Sequence, residues 1–438
     1  MTLSAATVWE VRSLGDANGG GGFVAGTGVD YSQSNTPFAT YTDLVIGASN
    51  SLTSVVRPFI ADDVGNLIRI TSGTGFTVAR YEVVSVAGGA ATLDRSPGTL
   101  ASSGGNGKLG GAMTMTDANL EIMEPGNTIW VKKDGTYTPG SVSISAAGTA
   151  TLAITVMGYN STRGDCLSGG TIVAANRPLI SNGASTTTFG NYWKLHYLTY
   201  TGTVAGGMRS GLNGEFVGCS GVNTSTGNGL SFSASTGRAI ACEASSSGGA
   251  AISAASSTNG MQIKKCYIHD SVVGINFIGT VNDVEDCIID TCTTGIDVVS
   301  TGHSISRNTF YGCTTGIAAA TATACVITDN ILHTCTTGIN WSGGHFDSNV
   351  FTSNNFWNNG TDSANAADLG IFPTYIDPGF TDAPNGNFTP TSAIQATPFP
   401  TKFPGDLTNN YAVPGAAQLV AGGGGGAINP FNGIIVSG

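Results

Sequence analysis

His269, Asp290, Tyr311 and His333 recur at spacings of 21, 21 and 22 residues. If the chain folds back on itself with that period, the four stack on one face. His and Tyr could then trade a proton with a substrate while Asp290 orients either, which is the equipment of general acid–base catalysis. The competing reading is a solvated turn, where histidine is common. A second column, four residues earlier, holds Lys265, Asp286, Arg307 and Asp329. A basic residue that abstracts a proton, beside acids that hold calcium, would suit β-elimination from a uronate. The alternating signs fit a cross-strand ion ladder better, at roughly 0.2–1 kcal/mol per exposed pair. Acid pairs such as Asp286/Asp290 or Asp270/Asp290 could span the ~5–9 Å that glycoside hydrolysis needs. Trp341 and Trp357, with Phe356, are candidates for stacking on sugar rings, or for covering the end of a core.

These columns need an element that repeats. Cys266, Cys287, Asn308 and Asn330 open four similar blocks, and Gly274, Gly295, Gly316 and Gly338 follow eight residues later, each before an Ile. Apolar residues recur three before the block start (Ile263, Val284, Ile305, Ile327) and two after it (Ile268, Ile289, Phe310, Leu332). A fixed period with short apolar alternation and Gly punctuation marks a solenoid of short strands. Stacked coils place equal columns about 4.8 Å apart. An Asn at the block start suits a bend, because Asn tolerates the left-handed conformation and its amide can bond to the next coil. The Gly eight residues on would supply a second bend.

The pattern resembles the right-handed parallel β-helix superfamily, the fold of pectate lyases and many phage tailspikes. Pro125-Gly-Asn-Thr-Ile-Trp130 through Tyr137 is similar to a first coil, and Asp377-Pro-Gly-Phe380 with Asn387-Phe388 to a closing segment. The resemblance covers about residues 119–419. It implies an all-β solenoid, and it hosts both enzymes and inert scaffolds. The expected organisation is an N-terminal β domain or cap (1–118), a parallel β-helix (119–370), a closing segment (371–419) and a Gly-rich tail (420–438). In the first part, stretches around 62–70, 81–86 and 91–95 read as strands between Gly-rich turns.

Only 10% of the 438 residues are charged and the net charge is −11, which argues against nucleic acid as a partner. No apolar run is long enough to span a membrane as a helix. The first ten residues lack the basic start and apolar core of a secretory signal. The nine cysteines form no CxxC pair and fall mostly in inward columns, so buried reduced thiols are expected, with no metal site and no cofactor. Reduced thiols fit folding in a host cytoplasm. The expected function is a structural virion protein of a phage-like particle, a head decoration or spike subunit. It would be a homotrimer in contact with capsid or other virion proteins, with a surface polysaccharide as a further partner. The alternative is an extracellular glycan-cleaving lyase or tailspike glycosidase on the same scaffold.

Overall fold

A computed structural model describes residues 3–203, 207–254, 259–342, 348–364, 369–370 and 372–391. The Gly-rich tail therefore lies outside the described residues. The chain divides into two compact units, one built from Met1–Cys166, Ala175–Ile180 and Phe189–His196, the other from Leu167–Ala174, Ser181–Thr188 and Tyr197–Gly438. Among the described residues the single α-helix is the turn Asp117–Leu120; the rest is strand, 3₁₀ turn and loop.

In the first unit, strands between Ala39 and Leu109 close into a six-stranded barrel. Tyr41, Leu44, Ile46, Ile68, Ile70, Tyr81 and Val83 fill it. The stretches read from sequence as strands are its members Leu67–Ser72, Arg80–Ala87 and Ala90–Leu93. Val8–Val11 does not join the barrel. It runs parallel to Thr128–Lys132, which in turn pairs with Ile154–Tyr159 and so begins a parallel sheet. Asn127, from the motif expected to open the first coil, ties this together: its Oδ1 accepts from the Trp9 indole at 3.0 Å and from the Glu124 backbone at 2.9 Å.

The second unit is a parallel β-helix. Each coil gives one short strand to each of three parallel sheets, as in Asp283–Glu285, Ile288–Asp290 and Thr294–Val298. Equal columns pair in register. Ile263, Val284, Ile305, Ile327 and Phe351 stack in the first sheet, and Ile268, Ile289, Phe310, Leu332 and Phe356 in the second. Ile275, Ile296, Ile317 and Ile339 stack in the third. All are buried, so the interior is a set of continuous apolar ladders.

The bends differ from the sequence expectation in two ways. The left-handed residue is not the Asn or Cys at the block start but the one before it: Lys265, Asp286, Arg307 and Asp329 have φ of 56°, 57°, 55° and 56°. Such φ values cost a non-glycine residue about 1 kcal/mol or more. Each is held by its own N–H, which bonds to the next coil: Lys265 to the Glu285 carbonyl at 3.0 Å, Arg307 to that of Thr328 at 3.1 Å. The Asn residues do bond between coils. Asn330 Oδ1 accepts from the Asn308 backbone at 2.9 Å and from its amide at 3.1 Å, and Asn354 Oδ1 serves Asn330 likewise at 3.1 and 3.0 Å.

The repeated glycine is not a bend at all. Gly274, Gly295, Gly316 and Gly338 lie inside third-sheet strands. A Cβ on Gly274 or Gly295 would come within 2.4 Å of the next coil's glycine carbonyl. Close stacking, not backbone conformation, requires them.

Candidate functional site

The repeat brings His269, Asp290, Tyr311 and His333 together as neighbours in the second sheet, in register from coil to coil, with Trp357 continuing the column. They point away from the apolar ladder because each strand's central residue points in. The column has two different ends.

Its C-terminal end is covered. Residues 374–376 bond to the last coil: Thr374 makes an isolated parallel bridge with Asn355, and the Ile376 N–H donates to Asn355 Oδ1 at 3.0 Å. The chain then turns back as a hairpin, Phe380–Asp382 against Asn387–Pro390, over the outer face of the second sheet. Phe388 packs on Tyr311 with centroids 5.3 Å apart, and Phe380 on His333 at 5.2 Å. Ile288, Ala383 and Phe388 form a buried cluster with Tyr267, Tyr311 and Phe380 around them. Burial lowers the His333 pKa, which favours a neutral ring, and its Nδ1 is 2.7 Å from Thr334 Oγ1.

The other end is polar. Tyr267 stacks on His269 at 4.6 Å and donates to Asp290 Oδ2 at 3.1 Å. His269 Nδ1 lies 2.9 Å from Asp270 Oδ2, and its Nε2 lies 3.5 Å from Glu243 Oε1. Burial opposes charge on this imidazole, but Glu243 and Asp270 outweigh it and hold the pKa up at about 9. His269 is therefore protonated near neutrality and is not a base there. Burial pushes the Asp290 carboxyl up, against the Tyr267 hydrogen bond. Glu243 belongs to this cluster yet was not singled out from sequence. Its coil departs from the 21-residue spacing, and only the pairing of Glu243 with Tyr267 in the neighbouring strand places it.

The Lys265 column occupies the left-handed bends. Arg307 Nε reaches Asp286 at 2.9 Å, and Arg307 also pairs with Glu285, which Lys264 reaches at 2.7 Å. The ion ladder thus draws half its members from the outward face of the first sheet. Trp341 is not available to a sugar. It is 2% exposed, at the inward end of a third-sheet strand, and packs edge-on against Phe351 at 5.3 Å. Trp357 is half-buried beside His333.

A family model described as "Periplasmic copper-binding protein (NosD)" matches residues 212–371, which belong to the second unit. This chain is a parallel β-helix protein. That assignment rests on its three in-register parallel sheets. Solved structures similar to it include the pectate lyase Pel9A (12% identity, covering 63% of this chain and 79% of that one, TM-score 0.38). An alginate lyase from Paenibacillus sp. str. FPU-7 matches at 13% identity, covering 59% and 96%, with TM-score 0.36. ORF18 of Geobacillus virus E2 matches at 12% identity, covering 57% and 54%, with TM-score 0.25. No curated protein matches.

The copper in the family description finds no fit here. Among the described residues no three His, Cys, Asp or Glu side chains converge as a ligand set. All nine thiols are buried and none is in a disulfide. The Cys266 thiol is pushed well above its usual range by burial and then by hydrogen bonds with Cys242 and Cys287, which opposes the thiolate a metal needs. These sulfurs act as small ladder members: the Cys266 N–H donates to Cys287 Sγ at 3.4 Å.

Proposed function

We propose that the chain is a non-catalytic structural protein, a decoration or spike subunit of a phage-like particle whose β-helix serves as a stiff scaffold. The observation that carries this reading is the hairpin over the second sheet. It packs Phe388 on Tyr311 and Phe380 on His333 and so turns half the column into packing surface. The ladders of buried, unbridged thiols support folding in a reducing host cytoplasm before assembly. The barrel, with its own core, is suited to be the module that docks to capsid or other virion proteins. A homotrimer is the proposed state. Light scattering on the purified chain tests it: a mass near three times 44.2 kDa is expected, and a concentration-independent monomer counts against a spike.

Glycan cleavage remains a second reading because of the polar end around His269 and Asp290. There Asp290, with its raised pKa, is a potential acid beside Tyr267, and Glu243 a potential second carboxylate. A surface polysaccharide would be the substrate, and Asp290→Asn would abolish its cleavage. The structural reading expects no cleavage to abolish.

A further inference from the structure

The outer face of the barrel carries a charge arrangement that the structural reading leaves unused. In its antiparallel register Arg69 stands directly opposite Arg80 on one side and Lys108 on the other. Like charges directly opposite across strands are destabilising unless something answers them. Lys108 has Asp16 at 2.5 Å, and Arg95 nearby pairs with Asp94. Among the described residues no carboxylate forms an ion pair with Arg69 or Arg80.

Arg80 is 3% exposed. Its Nε donates to the carbonyls of Gly19 and Gly20 at 3.1 and 3.0 Å, and its Nη2 to Asn119 Oδ1 at 2.9 Å and the Ala17 carbonyl at 3.2 Å. These neutral acceptors fix the guanidinium without neutralising it. Nη1 of Arg80 and Nε of Arg69 are both buried and meet no acceptor. Burial, then repulsion from Arg69, pulls the Arg80 pKa down to about 9, against the smaller opposing pull of Asp16. An anion at this place would reverse both effects.

Both arginines line one recess of about 310 Å³, together with Arg95, Glu124, Val78 and Ile122. We propose that this recess binds a compact oxyanion, a carboxylate or a phosphate, carried on a sugar-sized body. The two guanidinium groups, neither in an ion pair among the described residues, supply the charge-assisted donors. The recess has more room than a bare ion fills. Its apolar wall suits a ring face, and Glu124, its one lining carboxylate, suits a hydroxyl next to the anion.

Calorimetric titration of the full chain tests this, with inorganic phosphate, glucuronate and neutral glucose as probes at constant ionic strength. One-to-one binding of phosphate or glucuronate is expected, with glucose silent; whichever anion binds names the source of the oxyanion. Arg69→Gln should weaken that binding roughly tenfold or more. It should also leave the anion-free chain at least as heat-stable as the wild type, since it relieves repulsion and breaks no ion pair. Glu124→Gln gives an independent reading and should tighten binding. Absence of binding by both anions, or unchanged affinity in both variants, overturns the proposal.

Discussion

At the scale of single residues, the solenoid is held by groups whose replacement should cost far more than their size suggests. Gly295→Ala places a methyl against the Gly316 carbonyl of the next coil, where only backbone can yield. Chemical unfolding should show a loss of about 1–3 kcal/mol. Gly26→Ala, whose methyl would meet only the Val24 carbonyl at an ordinary 3.9 Å, should be near neutral. Asn330→Ala strips the acceptor from two buried donors of Asn308 and should also cost about 1–3 kcal/mol. Two histidines set opposite limbs of the pH profile. His269 is raised to about 9, so its stabilising effect is present below its unfolded value and lost as pH rises from about 6.5 towards 9. His303 lies stacked on Phe277, and burial lowers its pKa to about 4. Its folded form binds fewer protons than the unfolded chain, so stability is lost as pH falls from about 6.5 towards 4. Thermal melts across pH should therefore peak between these limits. His269→Gln should flatten the alkaline side and His303→Gln the acid side.

At the scale of elements, the C-terminal hairpin is the part that decides what the candidate column can do. Ending the chain at Asp377 should leave the coils folded while uncovering Ile288, Tyr311 and His333. Hydrogen exchange should then quicken in the strands Ile288–Asp290, Thr309–Tyr311 and Ile331–His333, with a gain in apolar dye binding. Unchanged exchange in those strands would mean that the hairpin does not cover them. The coils themselves were legible in the sequence because each inward column repeats in register, and the column of His269, Asp290, Tyr311 and His333 followed from the same period. The cover was not legible: Phe380 and Phe388 belong to no repeat, and the rings they pack on, His333 and Tyr311, lie 47 and 77 residues away in the chain. Of the two readings of Trp341 the structure keeps the core one, and the repeated glycines, read as bends, lie inside strands. Period fixes which residues stack but does not say whether an aromatic faces the core or whether a glycine is required by a bend or by a neighbouring backbone. Val8–Val11 leaving the barrel region to start a parallel sheet likewise carries no local signal.

At the scale of the whole molecule, a structural subunit and a glycan-cleaving enzyme make opposite demands on the same surface. An enzyme needs convergent acid and base groups open to a polymer; a scaffold is served by covering them. Here Phe380 and Phe388 cover one end of the column, and Glu243 and Asp270 hold His269 protonated at the other. Assembly should accordingly be the chain's measurable property, and polymer breakdown should not. The most direct measurement is the mass, by light scattering, of acidic and neutral host-surface polysaccharides after incubation with the intact chain and with Asp290→Asn. Polymer mass unchanged by either protein is the expected result. A fall in mass with the intact chain that Asp290→Asn abolishes would contradict the structural account and establish a catalytic column.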